Sequence, residues 1–89
     1  MKIENSVALV TGANRGVGRI YVAELLRRGA TKVYASARNP DSLADAISLD
    51  PARVVPLRLD VTSAAEIAAA AHTAADVTML INNAGALSF

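Results

Sequence analysis

Apolar positions along this chain alternate between two rhythms. Unbroken or alternating apolar runs predict strands at Val7–Thr11, Lys32–Ser36, Val54–Leu59 and Val77–Asn82. Between them, apolar residues spaced near the 3.6-residue turn predict helices at Val17–Arg28, Asp41–Ile47 and Ala64–Ala75. Strand and helix alternate, ending on a strand. With right-handed crossovers this pattern gives an α/β fold, a doubly wound parallel sheet of order 3-2-1-4. Local punctuation agrees: Gly29 follows Arg27 and Arg28 as a helix stop, Asn39-Pro40 offers a cap and a first-turn proline, and Ser63-Ala-Ala-Glu66 fits a capping box. The third helix is rich in alanine around Ile67, which reads as high helix propensity on a partly exposed surface.

Helical spacing puts Gly18 on one face with Tyr21, Val22 and Leu25, while Arg19, Glu24, Arg27 and Arg28 lie away from it. A glycine centred there lets the helix pack closely on the sheet, and it makes Tyr21 a core residue. Upstream lies Thr11-Gly12-Ala13-Asn14-Arg15-Gly16-Val17-Gly18, which joins the first strand to this helix. A helix N-terminus has unpaired N–H groups and a partial positive charge, so a glycine loop that admits a phosphate there makes an anion site. Glycines also occur in loops that only connect elements, but three at this spacing between strand and helix favour a phosphate cradle. The spacing is neither the strict G-x-G-x-x-G fingerprint nor a P-loop, since no Gly-Lys-Ser/Thr follows.

Thr-Gly-x-x-x-Gly-x-Gly after the first strand, together with Asn82-Asn83-Ala84-Gly85 after the fourth, resembles the classical short-chain dehydrogenase/reductase family from about Val7 to Gly85. The resemblance implies the N-terminal part, residues 1–89, of a single Rossmann-type cofactor-binding domain, with the sheet cut after the fourth strand. It implies a cofactor site built from Gly12, Asn14, Arg15, Gly16, Val17 and Gly18 in the first loop. Ala37 and Arg38 after the second strand, Asp60 and Val61 after the third, and Asn83, Ala84 and Gly85 after the fourth complete it. Relatives that bind NAD carry an acid at the position of Ala37 to hold the ribose hydroxyls. Here that acid is absent and Arg38 follows, while Arg15 stands before the second glycine, the other position that is basic in NADP-preferring relatives. The resemblance therefore implies NADP rather than NAD. Asp60 would hold the adenine amino group, although with Thr62 and Ser63 behind it a role in capping the next helix fits about as well.

Composition narrows the class. The 89 residues are 53% apolar, with no run long enough to span a membrane, and nine basic against eight acidic residues give a formal charge of +1. That balance gives no ground for a nucleic-acid or membrane surface. No cysteine is present, and the opening residues lack an apolar leader, so the expected compartment is the cytoplasm and thiolate metal sites are excluded. His72 sits inside the alanine-rich helix, Tyr21 in the first helix and Tyr34 inside a strand, so none is a candidate acid or base, and no catalytic or metal-ligating residue is assigned. The family's Tyr-x-x-x-Lys motif and its serine have no match here.

The expectation is thus an NADP-dependent oxidoreductase, exchanging hydride with a small carbonyl or alcohol substrate and homo-oligomeric at full length. The present chain is its cofactor-binding portion, inactive alone, from a truncated or fragmentary product. A non-catalytic cofactor-sensing module remains the alternative. A methyltransferase-type domain would want an acid after the second strand, and Ala37-Arg38 counts against it.

Overall fold

The computed structural model describes residues 3–83 of the chain. Its four strands, β1 (Val7–Val10), β2 (Lys32–Ala37), β3 (Val54–Arg58) and β4 (Met79–Ile81), form one parallel sheet in the order β3-β2-β1-β4, as the alternation predicts. Val10 stands opposite Ala35 and Ile81, and Ala37 opposite Arg58, so all four strands end at one edge of the sheet. In β2 every residue after Lys32 is buried, as a parallel strand covered on both faces requires. Strand β3 carries Pro56, exposed on the sheet's outer edge, where a missing N–H costs no ladder bond.

Helices α1 (Gly16–Arg27) and α2 (Ala44–Leu49) cover one face, where Val22, Leu25, Leu43 and Ala46 pack with Ala8, Val10, Val33 and Ala35. Helix α3 (Ala64–Thr73) and the residue after it cover the other, with Ala70 and Ala74 against Tyr34, Leu57 and Leu59. Burying one Val or Leu side chain typically contributes about 1.5–3 kcal/mol, so most of the cohesion sits on the α1–α2 face. The other alanines of α3 are exposed, in keeping with propensity rather than packing.

Several boundaries shift for visible reasons. The second helix opens as a 3-10 turn at Pro40–Leu43, because Asn39 takes the Asp41 amide on its side chain at 3.1 Å and the Ser42 amide on its carbonyl at 3.0 Å. Strand β4 is shorter than expected; Thr78 before it instead exchanges bonds with Val7 through its amide and its hydroxyl. Gly29 stops α1 at φ +92°, with Ala30 N–H reaching the Leu25 carbonyl and Gly29 N–H reaching Leu26, a Schellman closure.

Two expectations about α1 are corrected. Tyr21 is 40% exposed, because the buried stripe centres on Val22 and Leu25 with half-buried Leu26 beyond, which leaves Tyr21 on its rim. Gly18 is buried, but a Cβ there would collide with the Gly12 carbonyl and lie 2.8 Å from Ala13 Cα. The glycine thus admits the loop's own backbone rather than the sheet.

Candidate functional site

The sheet's carboxyl edge gathers the four loops. After β1, Gly12 turns the chain at φ +64°, a left-handed conformation that favours glycine, and its carbonyl accepts the Arg15 amide at 3.3 Å. The loop is tied down on both sides: Ala13 N–H donates to the Ser36 carbonyl of β2 at 3.0 Å, and Asn83 Nδ2 donates to the Gly12 carbonyl at 3.4 Å. Thr11 joins β1 to the end of β4, its hydroxyl accepting Asn83 N–H at 2.7 Å and standing 3.2 Å from Asn82 Oδ1. Asn14 is half-buried within the loop.

At the head of α1, Arg15 is the N-cap residue, yet no side chain caps the helix and its first turn holds no acid. Helix α3 shows the contrast, since Ser63 Oγ accepts the Glu66 amide at 3.2 Å. At Gly16 a Cβ would meet nothing within 4 Å, and its φ is not positive. The protein's own packing therefore does not demand glycine there; a ligand approaching the helix amides would. Val17, next to it, is 56% exposed. This is the space a phosphate needs, and the residues present fit one.

Charge is arranged to match. Arg19, Arg27, Arg28, Lys32, Arg53 and Arg58 each pair with a carboxylate. Among the described residues, the two cations without an ion pair are Arg15 and Arg38, both exposed at the carboxyl edge. Arg38 follows Ala37, which closes β2 buried and bonded through its carbonyl to Leu59 N–H at 2.9 Å.

Asp60 and Val61, half-buried, follow β3. Thr62 gives both its hydroxyl and its amide to Asp60 Oδ1, at 2.6 and 2.9 Å, and these bonds, aided by the Arg38 charge, hold the Asp60 carboxyl below its usual range. Asp60 thus turns its own loop, while Ser63 supplies the cap of α3. The capping box forms only halfway: Glu66 Oε1 accepts the Asp60 amide at 2.9 Å, while Ser63 N–H goes to the Asp60 carbonyl. Ser36 is a positioning residue that the sequence reading left out, whereas Thr11 and Glu66 carried signals there, as the first residue of the loop motif and the acid of the capping box, without being assigned to this edge. Ala84 and Gly85 lie outside the described residues. Neither His72, which is exposed, nor buried Tyr34, whose hydroxyl donates to Asp76 Oδ1 at 2.7 Å, takes part in this edge. Among the described residues no acid and histidine cluster could hold a metal, and no helix is long and apolar enough to cross a membrane.

A parallel sheet of order 3-2-1-4 with a glycine loop at the head of α1 is a Rossmann-type fold. The short chain dehydrogenase profile matches residues 6–89, and the chain belongs to that family. It is 34% identical over 98% of its length to the short chain dehydrogenase tazN of Aspergillus terreus, and 41% identical over 73% to a hydroxynaphthalene reductase-like protein Arp2 of Metarhizium brunneum. It spans 21% and 26% of those two proteins. Among solved structures, a short chain dehydrogenase from Burkholderia cenocepacia in complex with NADP is 50% identical at a TM-score of 0.85, over 94% of this chain and 34% of that one. A metagenomic short-chain oxidoreductase, also in complex with NADP, is 32% identical at 0.82, over 96% and 41%.

Proposed function

We propose that this chain is the N-terminal, NADP-binding part of the single catalytic domain of a carbonyl- or alcohol-directed oxidoreductase. The observation that carries the reading is the pair of unpaired cations, Arg15 and Arg38, flanking an edge with no acid at the end of β2. Gly12, Asn14, Gly16, Val17 and Gly18 would cradle the pyrophosphate at the head of α1, and the two arginines would take the 2′-phosphate. Asp60 and Val61 would face the adenine, with Asn83, Ala84 and Gly85 beside the cofactor's ribose. Bound there, NADPH supplies the hydride. This chain's own residues bind and orient it, and the reading that residues 1–89 alone are inactive rests on the family's Tyr-x-x-x-Lys motif, which has no match in this sequence. The NADP-bound relatives support the cofactor, the cysteine-free composition supports a cytoplasmic setting, and family resemblance supports a homo-oligomer at full length.

The test is calorimetric titration of the chain with NADP⁺ and NAD⁺, wild type beside Arg38→Asp. A charge-assisted contact contributes about 1.5–3 kcal/mol, so the wild type should favour NADP⁺ by roughly tenfold or more per arginine and the variant should lose that preference. Equal weakening of both cofactors would overturn the assignment. A cofactor-sensing module would bind in the same way but would also lack turnover in the longest natural polypeptide that contains these residues.

A further inference from the structure

Ser36 is fully buried near the end of β2, between Ala35 and Ala37 and two residues before Arg38. Its Oγ donates to the carbonyl of Val10, the last residue of β1, at 3.1 Å, and its own carbonyl accepts the amide of Ala13, two residues before Arg15, at 3.0 Å. The backbones that carry the two unpaired arginines therefore meet at one residue. Its neighbours in the strand are alanines, and an alanine at this position would avoid burying a hydroxyl, which is costly unless bonded. A polar atom kept here is accounted for by the bond it makes.

We infer that Ser36 is a positioning residue for 2′-phosphate discrimination, holding the glycine loop and the end of β2 at the spacing that lets Arg15 and Arg38 close on one anion. The inference rests on the NADP reading above. A recognition site works only when its groups are held within about 0.5 Å of the productive geometry, so loosening this joint should affect the phosphate contact more than the rest of the ligand. Removal of the hydroxyl leaves Arg15, Arg38 and the backbone bond from Ala13 to residue 36 in place, and breaks the side-chain tie between β2 and Val10, the last residue of β1 before the glycine loop departs.

The experiment measures the affinity of the chain for 2′,5′-ADP and for 5′-AMP, with the Ala13 amide followed by hydrogen exchange. In Ser36→Ala the preference for 2′,5′-ADP should fall by about three- to tenfold, the scale of one hydrogen bond, with the melting temperature little changed and the Ala13 amide exchanging faster. Ser36→Thr, which restores the hydroxyl, should recover both readouts. A preference retained in Ser36→Ala, or both affinities and the melting temperature falling together, overturns the positioning role and leaves the NADP reading intact. A wild type that does not prefer 2′,5′-ADP overturns the NADP reading, and the inference with it.

Discussion

Thr62 bonds one oxygen of Asp60 twice, and that oxygen accepts best when the carboxyl is ionised. The folded-state pKa therefore lies below the ordinary 3.8, so the charge stabilises the fold above that pH and the contribution fades as pH falls through the folded value. Carboxyl-carbon NMR should place the Asp60 midpoint below 3.8, and Thr62→Val should move it up toward that value; an unmoved midpoint would refute the account. Two glycines separate fold from binding in the same way. Gly18→Ala forces a methyl onto the Gly12 carbonyl, and overpacking typically costs about 1–3 kcal/mol, so thermal unfolding should show a clear loss. Gly16→Ala meets open space and should leave the melting temperature nearly unchanged while weakening NADP⁺ binding. If the two substitutions behave alike, the roles assigned to these glycines are wrong.

Helix α1 is fixed at both ends by different means. Its head rests on the loop through Gly18, and its tail is closed by Gly29 and by Arg53, whose guanidinium donates to the carbonyls of Leu26 and Ala30 at 2.9 and 2.7 Å and pairs with Asp50. Hydrogen bonds from a charged group contribute about 1.5–3 kcal/mol, so Arg53→Met should lower stability by that order in denaturant unfolding, whereas Arg28→Met, on an exposed pair, should do little. Element types and strand order were legible in the sequence because continuous apolar strands and the α1 stripe repeat a period over many residues. Gly29 and Asn39-Pro40 were legible because their local chemistry is self-contained. Tyr21 was misplaced since a stripe's rim depends on what packs beside it. Arg53, Ser36 and the Glu66–Asp60 bond were not readable, because each joins residues far apart or diverts a local motif to a new partner.

Among the described residues the sheet is finished on one side and open on the other. Strand β3 ends the sheet with an exposed proline and Arg58, whereas β4 pairs only with β1 among the described residues and shows Leu80 at 60% exposure. Beside it a groove of about 530 Å³ between α3 and the sheet is lined by Leu9, Leu59, Val61, Ile67 and Leu80. An unpaired strand edge beside apolar surface is a template for association. Sedimentation of the chain should therefore show self-association that grows with concentration, and Leu80→Lys should reduce it; a wild type that stays monomeric throughout would contradict this. The groove reaches the carboxyl edge at Thr11, Val61 and Asn82 but otherwise runs along the α3 face, away from the open glycine loop at the head of α1.

The central claim is that a 2′-phosphorylated dinucleotide sits along the carboxyl edge, between the head of α1 and the end of β2. Amide NMR of the chain during titration with NADP⁺ tests it most directly. The account predicts the largest shifts at Arg15, Gly16, Val17 and Gly18, with Arg38 and Asp60 following, and a weaker response at Arg38 when NAD⁺ replaces NADP⁺. Shifts confined to the groove at Leu9, Ile67 and Leu80, or none at the head of α1, would contradict it.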